Sequence, residues 1–271
     1  MTAPVVIEHL FKTYTRRRFI GKNVEKTVLH DVSLMLEEDR VLGLVGESGC
    51  GKSTLCKTLL GIEKPTAGTI LANGKDVAKI SKSEFKKLRR VMQVVYQDPY
   101  SSLDPRMNVR QLLSEPLDIH GLKKDRAERK AFLSELLKAV GLSESQLERY
   151  PHEFSGGQRQ RINIARALAL NPKILVADEP VSALDVSVQA QILNLLKEIK
   201  KTRRLSMLFV THDFAVARFL CDDIAVMYKG RIVEKAPAEE LFTNPQHPYT
   251  EALLSAVPSA EVVQKPFVPF E

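Results

Sequence analysis

Residues Gly46, Glu47, Ser48, Gly49, Cys50, Gly51, Lys52 and Ser53 spell G-x-x-x-x-G-K-S, between an apolar run, Val41 to Val45, and a helical pattern over Lys52 to Leu60 that Gly61 stops. Strand, glycine turn and helix in that order describe an anion cradle. Glycines let successive backbone N–H groups converge on phosphate oxygens, and the helix start adds the positive end of its dipole. Lys52 then reaches the outer phosphates and the Ser53 hydroxyl is placed to hold Mg²⁺. A merely flexible turn would need neither the lysine nor the flanking strand and helix.

A second segment carries matching chemistry. Ile174 to Ala177 reads as a buried strand that ends in Asp178 and Glu179. Adjacent side chains on a strand diverge, so the two carboxylates take different roles. Asp178 suits the shell of a metal ion, and Glu179 suits polarising a water for in-line attack on a γ-phosphate. Acidic strand ends are common; the glycine loop makes this one informative. Phe154, Ser155, Gly156, Gly157 and Gln158 precede a helix expected over Gln158 to Leu170. That turn is either a further anion site or an ordinary N-cap by Ser155 with a flexible glycine pair.

Elsewhere, Val91 to Tyr96 reads as a strand ending at Gln97, Asp98 and Pro99. From Ser101 to about Tyr150 the pattern is helical, best over Val109 to Leu117 and Arg126 to Val140, with Gly141 and Pro151 closing it. An amphipathic helix over Val188 to Thr202 and a strand over Ser206 to Thr211 lead to His212. Ile224 to Tyr228 and Arg231 to Glu234 form a hairpin across Lys229 and Gly230, and beyond Pro237 a proline-rich tail is expected. The alternation predicts an α/β fold whose strands are buried on both faces.

Composition narrows the class. At 271 residues, 44% hydrophobic and 27% charged, the chain is neither disordered, collagen-like nor a disulfide scaffold. No apolar stretch approaches the roughly 20 residues that span a bilayer, and Met1 to Val6 lacks the form of a signal peptide, so a cytosolic chain is expected. Cys50, Cys56 and Cys221 contain no CxxC pair, which suggests thiols in a reducing compartment. Cys50 is either an activated thiol whose alkylation blocks nucleotide binding or a small side chain facing the core. The net charge of +7 is spread over Arg16 to Arg18, Lys86 to Arg90, Lys123 to Lys130 and Lys200 to Arg204. These runs are mixed with acids and read as solvated faces.

Taken together, Gly46 to Ser53, Gln97, Ser155 to Gln158, Asp178 with Glu179, Ser182 to Asp185 and His212 resemble the ATP-binding cassette (ABC) ATPases in order and spacing, over nearly the whole chain. QDPYSSLDP at Gln97 to Pro105 and NPQHPYT at Asn244 to Thr250 resemble the ATP-binding subunits of bacterial dipeptide, oligopeptide and nickel importers. Phe154 stands where leucine is usual before SGGQ and remains apolar.

The resemblance implies a P-loop NTPase (RecA-like) core with an antiparallel β subdomain and a helical insert. The cassette domain would span residues 1–240, with the helical subdomain at about 99–160, and the C-terminal extension 241–271. It also implies two cassettes, identical or paralogous, arranged head to tail so that the glycine loop of one and SGGQ of the other enclose one ATP. Gly46 to Thr54 would bind ATP, with Ser53, Gln97 and Asp178 at Mg²⁺. Glu179 would be the general base, with Gln97 and His212 completing the catalytic set, and Ser155, Gly156, Gly157 and Gln158 would grip the opposing chain's ATP. Ser182, Ala183, Leu184 and Asp185 would cross the dimer boundary, or else form a plain turn. Tyr14 would stack on adenine, or else belong to an edge strand beside Phe11 and Phe19. Two membrane permease subunits, an extracytoplasmic solute-binding protein acting indirectly, no nucleic acid and a place on the cytoplasmic face of the plasma membrane are expected. Four cysteines in the tail would hold an iron–sulfur cluster in some relatives; none lies beyond Cys221, so no cluster is expected.

Overall fold

The structure of the chain, a computed structural model, describes residues 3–16 and 24–255. Phe19, Arg17, Arg18 and the end of the C-terminal extension lie outside the described residues. In chain order, β1 (Val5–Arg16) and β2 (Val24–Leu36) are followed by β3 (Val41–Val45), α1 (Lys52–Leu59), β4 (Ala67–Ala72) and β5 (Lys75–Asp76). Then come α2 (Lys82–Val91), β6 (Met92–Val95), α3 (Pro99–Ser102), α4 (Val109–His120), α5 (Arg126–Ala139) and α6 (Gly156–Leu168). The rest comprises β7 (Ile174–Asp178), α7 (Val186–Arg203), β8 (Ser206–Thr211), α8 (Phe214–Leu220), β9 (Asp223–Tyr228), β10 (Arg231–Pro237), α9 (Ala238–Thr243) and α10 (Pro248–Ser255).

Six strands form one sheet in the order β10-β9-β3-β8-β7-β6, all parallel except β10, which pairs antiparallel with β9. Its strands alternate side chains between two cores, as a pleat requires. Val45, Val95, Leu175, Ala177, Phe209 and Val226 face the core shared with the helices of residues 99–170. Leu44, Met92, Val176, Leu208, Val210 and Met227 face the opposite core, shared with α1 and the second sheet. That second sheet is antiparallel, in the order β2-β1-β4-β5. In that sheet β1 lies between β2 and β4, but its pairing with β4 ends at Phe11, so Tyr14 pairs with Lys26 of β2 alone, as the edge-strand reading has it.

Helices α1, α4 and α5 start where expected, whereas α6 and α7 start two residues earlier than periodicity suggested. Ser155 caps α6 through a reciprocal box with Gln158, and Asp185 caps α7 by accepting from the Val188 N–H at 3.0 Å. Caps act outside the apolar stripe, so periodicity alone misses them. The proline-rich tail is also corrected. Leu241 of α9 and Thr250 of α10 are fully buried, and Phe242, Tyr249, Leu253 and Leu254 pack on the helical-side core.

In β3, the backbone of Gly43 runs directly beneath Cys221; a Cβ there would lie 2.8 Å from Cys221 Sγ and 3.4 Å from an Ile224 side-chain carbon. Overpacking of this kind costs about 1–3 kcal/mol. Gly43→Ala is expected to lower unfolding stability in denaturant by about 2 kcal/mol, and adding Cys221→Ala to recover roughly half of it, because the sulfur is the closest clash. Additive losses in the double variant would refute this packing account.

Candidate functional site

Four parallel strands deliver their C-terminal ends to one edge of the sheet: β3 to the glycine loop, β8 to His212, β7 to Asp178 and Glu179, and β6 to Gln97. Their registers are aligned, Val45 opposite Thr211, Asp178 opposite Val210 and Ala177 opposite Val95. Ligands of open α/β sheets bind beyond this edge, where loops diverge.

The loop is tightly seated. A Cβ on Gly46 would lie 2.2 Å from the Met227 carbonyl oxygen, which requires glycine there. Glu47, Ser48 and Gly49 are exposed while Gly51 and Lys52 are buried, so the loop presents a rim to solvent around an inward-turned cation. Lys52 Nζ donates to the carbonyls of Gly46 at 2.6 Å and Glu47 at 3.0 Å, and lies 4.0 Å from Glu179 Oε1. Three groups therefore share its charge. Ser53 is exposed at the first turn of α1, with Thr54 half-buried behind it.

Glu179 adopts φ 48°, a left-handed conformation that a glutamate rarely takes. Its amide donates to the Val210 carbonyl at 3.0 Å and its carbonyl accepts from the Ser182 hydroxyl at 3.1 Å, so both neighbours hold the strained turn. The Oε2 atom lies 3.2 Å from His212 Nδ1, and His212 is otherwise exposed. Asp178 differs. Its Oδ1 is buried with no hydrogen-bond partner, and burial, then the Glu179 charge, push its carboxyl above the usual carboxylate range. An orphaned carboxylate oxygen at the sheet edge that also carries exposed Ser53 and Gln97 belongs to a set of oxygen donors of the kind a hard divalent cation takes, so these residues fit Mg²⁺.

Tyr14 is exposed; its hydroxyl donates to the Glu63 carboxylate, and Lys12 Nζ covers one ring face at 4.8 Å. Burial and the Glu63 charge raise its phenol. The Ser155 hydroxyl accepts from its own helix, at the Gln158 N–H, 3.3 Å. Among the described residues, no hydrogen bond or ion pair joins Ser155–Gln158 to the loop Gly46–Thr54. The remaining sequence-derived candidates, Ser182 to Asp185, border α7, where Val186 is 82% exposed despite being apolar.

Cys50 is corrected. Its side chain is buried and its thiol is pushed up chiefly by desolvation, against the opposing pull of Lys52, so it is not an activated nucleophile. Periodicity and motif reading also missed Gln160. Fully buried, it donates to the carbonyls of Pro180 at 2.7 Å and Tyr96 at 3.4 Å, tying α6 to the backbone beside both Glu179 and Gln97. A glutamine on a helix gives no signal of this before the partner carbonyls are placed.

The family model for ABC transporters matches residues 29–182, and the model for the oligopeptide/dipeptide transporter C-terminal region matches residues 233–269. The chain belongs to the ABC transporter family. The oligopeptide transport ATP-binding protein OppF of Bacillus subtilis is 49% identical over 253 residues, 93% of this chain and 81% of that protein. The dipeptide transport ATP-binding protein DppF of Lactococcus lactis is 46% identical over 270 residues, 98% of this chain and 85% of that one. Among solved structures, the dimeric post-hydrolysis state of the ATP-binding cassette MJ0796, bound to ADP and Pi, superposes with a TM-score of 0.75 at 31% identity, covering 86% of this chain and 98% of that one. This ABC chain is thus an ATPase with the α/β cassette fold, and no described helix is long and apolar enough to cross a membrane.

Removing the Asp178 charge separates its two effects. A carboxyl raised in the folded state contributes stability that is present below the ordinary carboxylate range and lost as pH rises through the raised value. Asp178→Asn is therefore expected to stabilise the metal-free ABC chain at pH 8 by about 1 kcal/mol, with the difference vanishing near pH 4, while Mg²⁺-dependent hydrolysis collapses. Thermal melts at the two pH values and a phosphate-release assay check both. Thiol titration of the native chain at pH 7.5 should find all three cysteines slow, and denaturation should release all three; fast labelling of Cys50 would contradict its burial.

Proposed function

We propose that this chain is the ATP-hydrolysing subunit of an importer for peptides or a related small solute, working as a pair of cassettes against membrane permease subunits. The observation that carries this reading is the distribution of groups around the sheet edge. Lys52, Asp178, Glu179, His212 and Gln97 gather at one edge of one chain, while Ser155 caps a helix with no bond to that loop. A second chain is then the natural source of the second glycine turn. The apolar Val186, bare beside Ser182–Asp185, supports an interface there. The names of the relatives and the matched C-terminal region support a peptide-type cargo.

In this reading the loop amides and Lys52 hold the β- and γ-phosphates, and Lys52 exchanges its carbonyl partners for phosphate oxygens. Asp178, Ser53 and Gln97 would hold Mg²⁺, which when bound supplies charge neutralisation at the phosphates. Glu179 accepts the proton of the attacking water, and its strained backbone and His212 fix the direction of its carboxylate. Tyr14 offers its uncovered face to adenine. Gln160 ties the helical segment, here taken as a subdomain of about 99–160, to the carbonyls flanking Glu179 and Gln97, so closure of the pair on ATP reaches any subunit docked on those helices. The chain would sit peripherally, on the cytoplasmic face of the membrane.

Replacing the base while keeping the shape tests the core of this. Glu179→Gln is expected to lower kcat by about 10²–10⁴ while retaining ATP binding, and to elute as an ATP-dependent dimer in size-exclusion chromatography. A variant that stays monomeric with saturating ATP, or hydrolyses it at the parent rate, refutes the paired scheme.

A further inference from the structure

The Asn244–Thr250 segment has no role in the chemistry above, yet it is built into the site's rear wall. Glu234 of β10 accepts from the N–H groups of Gln246 at 2.7 Å and His247 at 3.0 Å. His247 Nδ1 in turn accepts from the Tyr249 N–H at 3.1 Å, which sets the turn into α10. The Tyr249 ring lies against that of Tyr228, with centroids 4.0 Å apart and planes tilted by 35°. Tyr228 ends β9, one residue beyond the Met227 carbonyl that abuts Gly46, and the Gly230 N–H donates to the Cys50 carbonyl at 2.8 Å. The tyrosine pair thus bears on the same backbone that shapes the glycine loop. The Tyr249 hydroxyl is buried and has no hydrogen-bond partner of ordinary geometry among the described residues. The polar groups beside it are the Glu47 backbone amide and the side chains of Glu47 and Cys50.

We infer that Tyr249 is a positioning residue for the glycine loop, through which the Asn244–Thr250 segment sets how tightly the loop takes a nucleoside triphosphate. A buried hydroxyl without a partner is costly, and the Glu47 N–H is the donor within its reach. Contact there fixes the Gly46–Glu47 peptide, whose carbonyl, that of Gly46, is one of the two that hold Lys52. The lysine and the rim of the loop are then presented in one arrangement before nucleotide arrives. Among the described residues no hydrogen bond joins Tyr249 to Glu179 or His212, so the contact is assigned to binding rather than to the chemical step. The inference rests on the assignment of Gly46–Ser53 as the triphosphate loop. It also gives the NPQHPYT string a physical role, as a strap from the far end of the chain that braces the loop from behind.

The test uses the full-length chain and MgATP, with KM and kcat measured separately and melting temperature recorded without nucleotide. Tyr249→Phe keeps the ring and loses the hydroxyl; Tyr249→Leu loses both. The expected result is a KM for ATP raised about threefold in the phenylalanine variant and about tenfold in the leucine variant, with kcat within twofold of the parent. Hydrogen exchange supplies a second readout, since coupling is reciprocal: ATP should slow exchange at the Gln246, His247 and Tyr249 amides in the parent and less so in Tyr249→Phe. A lowered melting temperature with unchanged KM in the phenylalanine variant overturns the proposal and leaves Tyr249 as packing. A fall in kcat at unchanged KM overturns it as well. Should the leucine variant fail to fold, the phenylalanine variant and the exchange measurement decide. Lys52→Ala is run alongside: if it binds ATP as tightly as the parent, the loop assignment itself falls and the proposal with it, whereas lost binding in Lys52→Ala with a normal KM in both tyrosine variants overturns the proposal alone.

Discussion

A buried ammonium organises this molecule's working edge. Lys52 is 4% exposed, and an unpaired charge so placed would be prohibitively costly, so the loop folds two of its carbonyls back onto Nζ. In a trans peptide the N–H points opposite to its carbonyl, so the Ser48 N–H, across from the Glu47 carbonyl, is turned away from the ammonium. The same ammonium sits near Glu179, so the cation that prepares the loop also balances the carboxylate that would accept a proton. The core beneath supports this with strands that end in register, which places the loop, the two carboxylates and His212 within reach of one ligand.

Much of the central sheet was legible in the sequence, because its strands are short apolar runs ending at glycine, proline or acidic residues. Ser206–Thr211 is found where the run ends at His212, and the hairpin across Lys229 and Gly230 is present. The antiparallel sheet was harder to read. β1 and β2 mix charged and apolar residues, with irregular register between Ile7 and Thr13 that breaks simple alternation. The C-terminal helices were hidden for another reason: Pro245 and Pro248 read as breakers, whereas Pro248 stands at the first position of α10, where its missing N–H is harmless. Helix starts at Gly156 and Val186 were masked because their caps, Ser155 and Asp185, are polar residues outside the apolar stripe.

The site divides along similar lines. Residues picked out by type and spacing, such as Lys52 and Glu179, lie together at the sheet edge. Residues whose role depends on what lies opposite were not recognisable. Gln160 acquires its place from two carbonyls in distant segments, and Cys50 loses reactivity because its side chain turns toward the core rather than the loop's open face. The direction of one Cβ decides the latter, and a motif does not encode it.

The left-handed turn at Glu179 has a consequence for descent as well as for catalysis. Asparagine or glycine would sit there with less backbone strain, so the backbone at this turn does not by itself select a glutamate. Under the proposed paired reading, the carboxylate's contacts with Lys52 and His212 and the demand for turnover are what would keep the glutamate in place.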